Sequence, residues 1–273
     1  MIAADVRVNE HSIAFSICTL VSNWQQYDSM IESFLKGGFG SPDCEFLYLD
    51  NSCGNRFEAY RGINIFLSVA RGSTIILCHQ DVELIQDDRV RLESVIHEMN
   101  TIDPSWGLLG NAGGLLDGSI ALRLSDPHGE DYGRDATYPI RAVTLDENFM
   151  VVRKEANLAV SGDLHGYHMY GADLALVAER LGYTTYIVDF HLRHHGRGSR
   201  DEEFFRIRKS LVDKLSSLVG GRVLVTTCTL LPVGGSQLLN RLAMSKTGER
   251  FLRGLMKLRR WSAIVCRCAS RSR

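Results

Sequence analysis

Ser73-Thr74-Ile75-Ile76-Leu77-Cys78-His79-Gln80-Asp81-Val82-Glu83 is the stretch on which the fold turns. Its mostly branched apolar residues run straight into a polar cluster. An uninterrupted run of this kind, preceded by Arg71-Gly72, reads as a strand buried on both faces of a parallel sheet. Open α/β sheets bind ligands outside the carboxyl ends of their strands, and His79-Gln80-Asp81 falls at such an end. A carboxylate there is well placed to hold a divalent metal against a phosphate. The plainer alternative is that Asp81 caps the next loop while His79 packs at the sheet edge.

The pattern extends outward on both sides. Residues 12–21 form a first apolar strand ending at Ser22-Asn23, and a helix follows over 24–36, stopped by Gly37-Gly38. Cys44–Leu49 is a second strand, running into Asp50-Asn51-Ser52, and a second helix spans about 55–70. Strands and helices therefore alternate up to the central strand, with polar residues closing each strand. Beyond it come a helix over 88–100, a strand over 106–110, and a glycine-rich Asn111-Ala112-Gly113-Gly114. A strand pair flanks Asp146-Glu147-Asn148. A polar stretch, 161–173, leads to a short helix over 174–181, and a last strand, 183–190, runs into His191-Leu192-Arg193-His194-His195-Gly196.

The 273 residues suffice for one large α/β domain with an appendage; 45% hydrophobic and 23% charged residues are ordinary for a globular chain. Seven scattered cysteines show no CxxC pairing and read as small buried hydrophobes in a reducing compartment. The N-terminus lacks the basic and apolar regions of a secretory signal, and no apolar run reaches bilayer length, so a cytoplasmic protein is expected. The net charge of −1 hides an asymmetry: residues 246–273 carry nine Lys/Arg and one Glu, a net of +8, which leaves −9 on the other 245. A basic tail on an acidic body points to an anionic partner for the tail. The acidic body, without interleaved basic and aromatic residues, speaks against nucleic acid.

Taken together, His79-Gln80-Asp81-Val82, His168-Met169-Tyr170-Gly171-Ala172-Asp173-Leu174 and His194-His195-Gly196 resemble a GT-A fold, family-2-like glycosyltransferase. The subgroup most similar carries His-Gln-Asp in place of Asp-x-Asp, and the resemblance covers roughly residues 12–198. It implies a nucleotide-diphospho-sugar transferase fold, a mainly parallel sheet flanked by helices over 1–200, with a mostly helical, basic extension over 201–273.

The resemblance also implies roles. Asp81 would be the side-chain ligand of a divalent ion, Mn²⁺ or Mg²⁺, completed by His194 or His195; imidazole favours Mn²⁺. Alone, the His pair reads as a solvated loop between arginines. Asp50 would bond the nucleotide base or ribose and Thr19 would lie beside the base. Arg61 and Asn64 would contact base or diphosphate, with Asn51, His79 and Gln80 alongside. Alone, Asp50-Asn51-Ser52 is a turn, and Arg61 and Asn64 are surface positions. An inverting transfer needs a carboxylate base near the metal. Many relatives place Glu-Asp-x-Asp there, whereas Tyr170-Gly171 stands at the first pair here. The base is therefore expected at Asp173, then Asp163, then Asp146 or Glu147; as a plain structural group, Asp173 would cap a helix.

In the tail, Phe251, Leu252, Leu255, Met256 and Leu258 gather near one face, with Arg250, Arg253, Lys257 and Arg260 on the other. This is the pattern of a helix lying on an anionic membrane surface, over about 248–273; a helix packed on the domain with a solvated basic face reads equally well. The expected reaction is transfer of a sugar from a nucleotide-diphosphate donor to a glycan or lipid-linked acceptor, at the inner face of a membrane. Two rivals remain: an inactive sugar-nucleotide- or partner-binding module, and a nucleotidyltransferase on a related sheet. The latter should show a basic glycine-rich phosphate loop after the first strand, and Thr19-Leu20-Val21-Ser22-Asn23 is not one.

Overall fold

The structure, a computed structural model, describes residues 13–196, 198, 200–216, 222–234 and 236–256. In chain order, β1 (Ile13–Val21), α1 (Trp24–Phe34), β2 (Cys44–Asp50), α2 (Ala59–Val69) and β3 (Gly72–Cys78) form the first half. Next come β4 (Val82–Leu84), α3 (Arg89–Ile102), β5 (Trp106–Gly110), β6 (Ala112–Leu115), β7 (Ile120–Leu122), β8 (Leu124–Ser125), β9 (Asp131–Tyr132), β10 (Ile140–Leu145) and β11 (Phe149–Arg153). The rest comprises α4 (Tyr170–Arg180), β12 (Thr184–Ile187), β13 (Leu192–His194), α5 (Glu202–Leu215), β14 (Arg222–Val225), β15 (Leu230–Val233) and α6 (Gln237–Met244). Residues 246–256 are again helical. The expected membrane-surface helix thus begins within the described residues, while 257–273 lie outside them. Among the described residues no helix is long and apolar enough to cross a membrane.

Nine strands make the main sheet, in the order β2-β1-β3-β11-β5-β12-β10-β6-β7. Six of them share one direction, and β11, β10 and β7 run against it, so the sheet is mixed. β3 lies between β1 and β11 with Thr74 to Cys78 buried, which is why it is apolar on both faces. One core packs α2, α4 and α5 on one face of the sheet, and a second packs α1 and α3 on the other. Local signals agree with this: Asn23, Asp88 and Asp201 each accept a hydrogen bond from a free first-turn N–H, capping α1, α3 and α5. Gly38 takes φ +89° to end the first helical stretch. A second sheet, β4-β13-β8-β9, is decisive for the site: β13 pairs antiparallel with β4, with His194 opposite Val82.

The C-terminal part is not helical throughout. The β14–β15 hairpin sits inside it, and Phe204, Ile207, Leu211, Leu224 and Leu231 belong to the same core as α2 and α4. Arg208, only 3% exposed, organises this packing. Its guanidinium donates to the Leu230 carbonyl at 2.7 and 3.0 Å and to the Met244 carbonyl at 3.3 Å, and lies 3.3 Å from the Glu249 carboxylate. One cation thus answers the hairpin, the end of α6 and the helix after it. Removing it leaves buried carbonyls without donors and takes from Glu249 one of its two counter-charges, the other being Arg253 at 2.8 Å. Arg208→Ala should cost about 2–4 kcal/mol and lower Tm by several degrees, measured by thermal unfolding; an unchanged Tm would refute this account of the packing.

Candidate active site

His79, Asp81 and His194 converge at the end of β3. Asp81 Oδ1 lies 3.4 Å from His194 Nε2 and 3.9 Å from His79 Nδ1, and the two histidine nitrogens are 3.4 Å apart. Register explains the meeting: β13 against β4 brings His194 beside Asp81, and the His195 N–H donates to the Asp81 carbonyl at 2.9 Å. His79 Nε2 lies 3.0 Å from the Tyr170 hydroxyl, which turns Nδ1 toward the cluster. Burial alone would raise Asp81, but the hydrogen bond and charge of His194 outweigh it and hold the carboxyl below its usual range. Burial likewise acts to depress His194, and Asp81 carries it above the ordinary imidazole value instead. Burial and the neighbouring His194 depress His79.

One carboxylate and two imidazoles within 4.8 Å of one another can hold a metal ion. The cradle is kept open by glycine: a Cβ at Gly196 would stand 2.5 Å from Asp81 Oδ2 and 3.1 Å from His194 Nε2. The residues present therefore fit a divalent metal ion.

Two clefts share His79. The first, of about 380 Å³, is floored by Cys18, Leu20, Ile63 and Leu77 and edged by Ser22, Asn55, Gln80 and Asp81. The second, of about 240 Å³, is lined by His194, Asp146, Glu147, His168, Phe204, Thr227 and Cys228, among others. Its two adjacent acids have opposite surroundings. Asp146 would be raised by burial, but it accepts from Thr227 Oγ1 at 2.6 Å and from the Asn148 amide at 2.7 Å, and these hold it low. Glu147 is pushed up to about 8 by burial and by the Asp146 charge, against which stand only backbone N–H groups: that of Gly171 at 3.3 Å, its own and that of Met169. Two acids driven apart in this way can serve different roles in acid–base chemistry.

No family model matches the chain. A curated relative, the "ATP synthase subunits region ORF 6" protein of Fuscovulum blasticum, is 37% identical over 233 residues, covering 83% of this chain and 93% of the relative. The chain belongs to that protein's family. Among solved structures, S. aureus TarS superposes with a TM-score of 0.52 at 10% identity, over 74% of this chain and 40% of TarS. The mannosyltransferase PcManGT from Pyrobaculum calidifontis, in complex with GDP-Man and Mn²⁺, gives a TM-score of 0.49 at 12% identity, over 76% of this chain and 65% of its own. The fold is GT-A.

Within the GT-A fold, the residues singled out from sequence fall in different places. His79, Gln80 and Asp81 line the first cleft, as does Asn51. Gln80 Oε1 accepts from the Ser22 and Asn23 N–H groups at 2.8 and 2.9 Å, fixing the β1–α1 turn at the cleft edge. Asn51 is locked to both main-chain groups of Phe57. Asp50 closes a turn onto Ser52 beside it.

Other residues singled out from sequence lie away from the cluster or from the clefts. His195 turns away from the cluster to Glu83, at 3.1 Å. Thr19 is buried on the opposite sheet face, 3.5 Å from Cys78 Sγ and 3.6 Å from Met30 Sδ, because alternation along β1 gives the cleft to Cys18 and Leu20. Asn64 is spent on both main-chain groups of Val160, and Arg61 lines a separate shallow depression. Asp163 pairs with Lys214 at the surface. Asp173 lies in the first turn of α4, outside both clefts, accepting from the Ser161 N–H and hydroxyl at 2.6 and 2.7 Å; it is a buried turn-holding carboxylate. Thr227 and His168 were not singled out as site residues. Thr227 has no local signal, because the hairpin brings it in from 81 positions away.

If these three side chains form the metal site, Asp81→Ala and His194→Ala should each abolish Mn²⁺ binding in a calorimetric titration, while His195→Ala leaves it intact. Tyr170→Phe, which frees His79 to rotate, should weaken it by about 10–100-fold. Loss on His195→Ala alone would move the site.

Proposed function

We propose that this chain is a nucleotide-sugar glycosyltransferase of the subgroup with His79-Gln80-Asp81 in place of Asp-x-Asp. Residues 1–200 would form the transferase domain, and 201–273 an extension that walls its acceptor side. The observation that carries the reading is the meeting of two clefts at one cluster: a roomy, partly apolar one ending at Asp81 and a smaller one holding Glu147.

The nucleoside would lie in the first cleft, between the apolar floor and the Ser22–Gln80 edge, with its diphosphate toward Asp81, His79 and His194. Those three would hold the Mn²⁺ or Mg²⁺ ion, which when bound supplies positive charge against the departing diphosphate. The acceptor, a glycan or lipid-linked glycan met at the cytoplasmic side, would enter the second cleft. Its hydroxyl oxygen bonds to the anomeric carbon as the bond from that carbon to the diphosphate oxygen breaks, and its proton passes to the Glu147 carboxylate. Attack from the face opposite the leaving group inverts the centre.

Glu147 replaces Asp173 as the base in this reading. A Cβ at Gly171 would stand 2.5 Å from the Leu145 carbonyl, so position 171 has no room for a side chain. Glu147 instead brings its carboxylate to the Gly171 N–H. Asp146, kept ionised by Thr227 and Asn148, holds the Glu147 proton affinity high.

The first test is a thermal-shift panel of UDP, GDP, dTDP and CMP with and without Mn²⁺; one diphosphate should raise Tm by several degrees only with metal. With donor found, Glu147→Gln should lose transfer by about 10²–10⁴-fold while keeping metal-dependent nucleotide binding. Asp173→Asn should instead lower Tm and leave the pH profile of surviving activity unchanged. Because the base must be ionised, kcat/KM should climb through about pH 8. Stability runs the other way. The fold binds the Glu147 proton more tightly than the unfolded chain does, so stability declines between about pH 4.5 and 8, and Glu147→Gln removes that decline. Full activity in Glu147→Gln would overturn the assignment.

A further inference from the structure

Helix α6 is built inside out. Its buried side chain is polar: Asn240, 4% exposed, donates its amide to Ser216 Oγ at 2.6 Å and to the Gly234 carbonyl at 2.9 Å. Its leucines face outward, with Leu238, Leu239 and Leu242 exposed by 68, 65 and 59%. The helical stretch 246–256 repeats the arrangement with Phe251 and Leu255, 66 and 42% exposed. At Gly248 a Cβ would meet the Leu242 carbonyl, so the two helices press closely together there. Scattered exposed apolar side chains are normal, but five large ones within 18 residues are a patch.

The charges around the patch have one sign. Arg241, Lys246, Arg250 and Arg253 are exposed, and Glu249, the one acid of 237–256, is shared between the buried Arg208 at 3.3 Å and Arg253 at 2.8 Å, so cations outnumber acids on this face. Residues 257–273 add six further Lys/Arg and no acid. This excess selects the occupant. A second copy docking through the same face would set like charge against like, and so would the chain's own residues 257–273 laid over the leucines. A nucleic acid would answer the cations but gains nothing from solvent-facing leucines and phenylalanine. An anionic bilayer answers both, taking the apolar side chains below the headgroups and the cations at their level.

We infer that α6 and the stretch 246–256 form a docking face for an anionic lipid bilayer, with Leu238, Leu239, Leu242, Phe251 and Leu255 as its inserting residues. The face is separate from the two clefts, so the inference stands whether or not sugar transfer is the reaction, and binding tests it without any activity measurement.

The experiment is sedimentation of the full chain with phosphatidylcholine vesicles, pure or containing about 30% phosphatidylglycerol, with light scattering on the free protein. Wild type should pellet with the anionic vesicles and not with the neutral ones. Leu238→Gln/Leu239→Gln/Leu242→Gln alters only exposed side chains; it should keep the wild-type circular dichroism and Tm and lose binding by at least about tenfold. Phe251→Gln/Leu255→Gln provides a second variant, with the same expected loss. No wild-type binding to anionic vesicles overturns the inference. So does undiminished binding by both variants, which would assign it to the basic tail alone. A wild-type dimer that both variants return to monomer would make the face a protein interface instead.

Discussion

The antiparallel pairing of β13 with β4 is the constraint on which the site depends. β4 follows the central strand at once, so its partner's register determines which side chain meets Asp81. With His194 opposite Val82, the imidazole lies against the carboxylate, and the next residue, His195, points to Glu83. A slip of one residue would exchange the two histidines, since neighbours on a strand face opposite ways. The cluster's charge state follows from the same contact. Asp81 is held low and His194 high by each other, so a cation taking His194 as a ligand competes with a proton that Asp81 favours there.

A second constraint is steric. The N-terminus of α4 packs so closely on the end of β10 that glycine is the residue position 171 can hold. The turn between β10 and β11 places two carboxylates beside it, Asp146 and Glu147, both lining the smaller cleft. The price is burial, and the proton affinity of Glu147 rises with it. Asp146 does not share this fate because Thr227 and Asn148 give its charge hydrogen bonds that Glu147 lacks. The difference between two adjacent carboxyls is thus a difference in donors, more than in depth.

What could be read from sequence follows the range of the forces involved. The strand through Ile75–Leu77, the capped helices and the polar strand ends are set by local pattern, and they appear where pattern puts them. Thr19 was legible in principle, since a strand with Cys18 and Leu20 facing the cleft must turn Thr19 away. The helix expected over 174–181 begins at Tyr170, because Met169 takes φ +69° and caps it without any side-chain hydrogen bond, leaving no sequence signal. Asp173 reads as a helix-start acid or as a base with equal ease, and its two hydrogen bonds to Ser161 are contacts that the sequence does not signal. His194 against His195, Glu147 against Asp173, and Thr227 at Asp146 all depend on contacts between distant segments, which no local pattern carries.

The same long-range contacts give the C-terminal segment a role in the site. Thr227 sits in the β14–β15 turn, and Thr144 Oγ1 donates to the Val225 carbonyl, so the hairpin is bonded to β10 directly before the two acids. On its other side the hairpin is held by Arg208, which also answers the end of α6 and Glu249. The wall of the smaller cleft and the outward leucines are therefore attached to one short hairpin. A bilayer against α6 would lie on the segment that also frames Glu147, which suits an acceptor delivered from that surface. The contacts establish adjacency and shared support; energetic coupling between the face and the cleft is a separate property, because packing alone does not create two states.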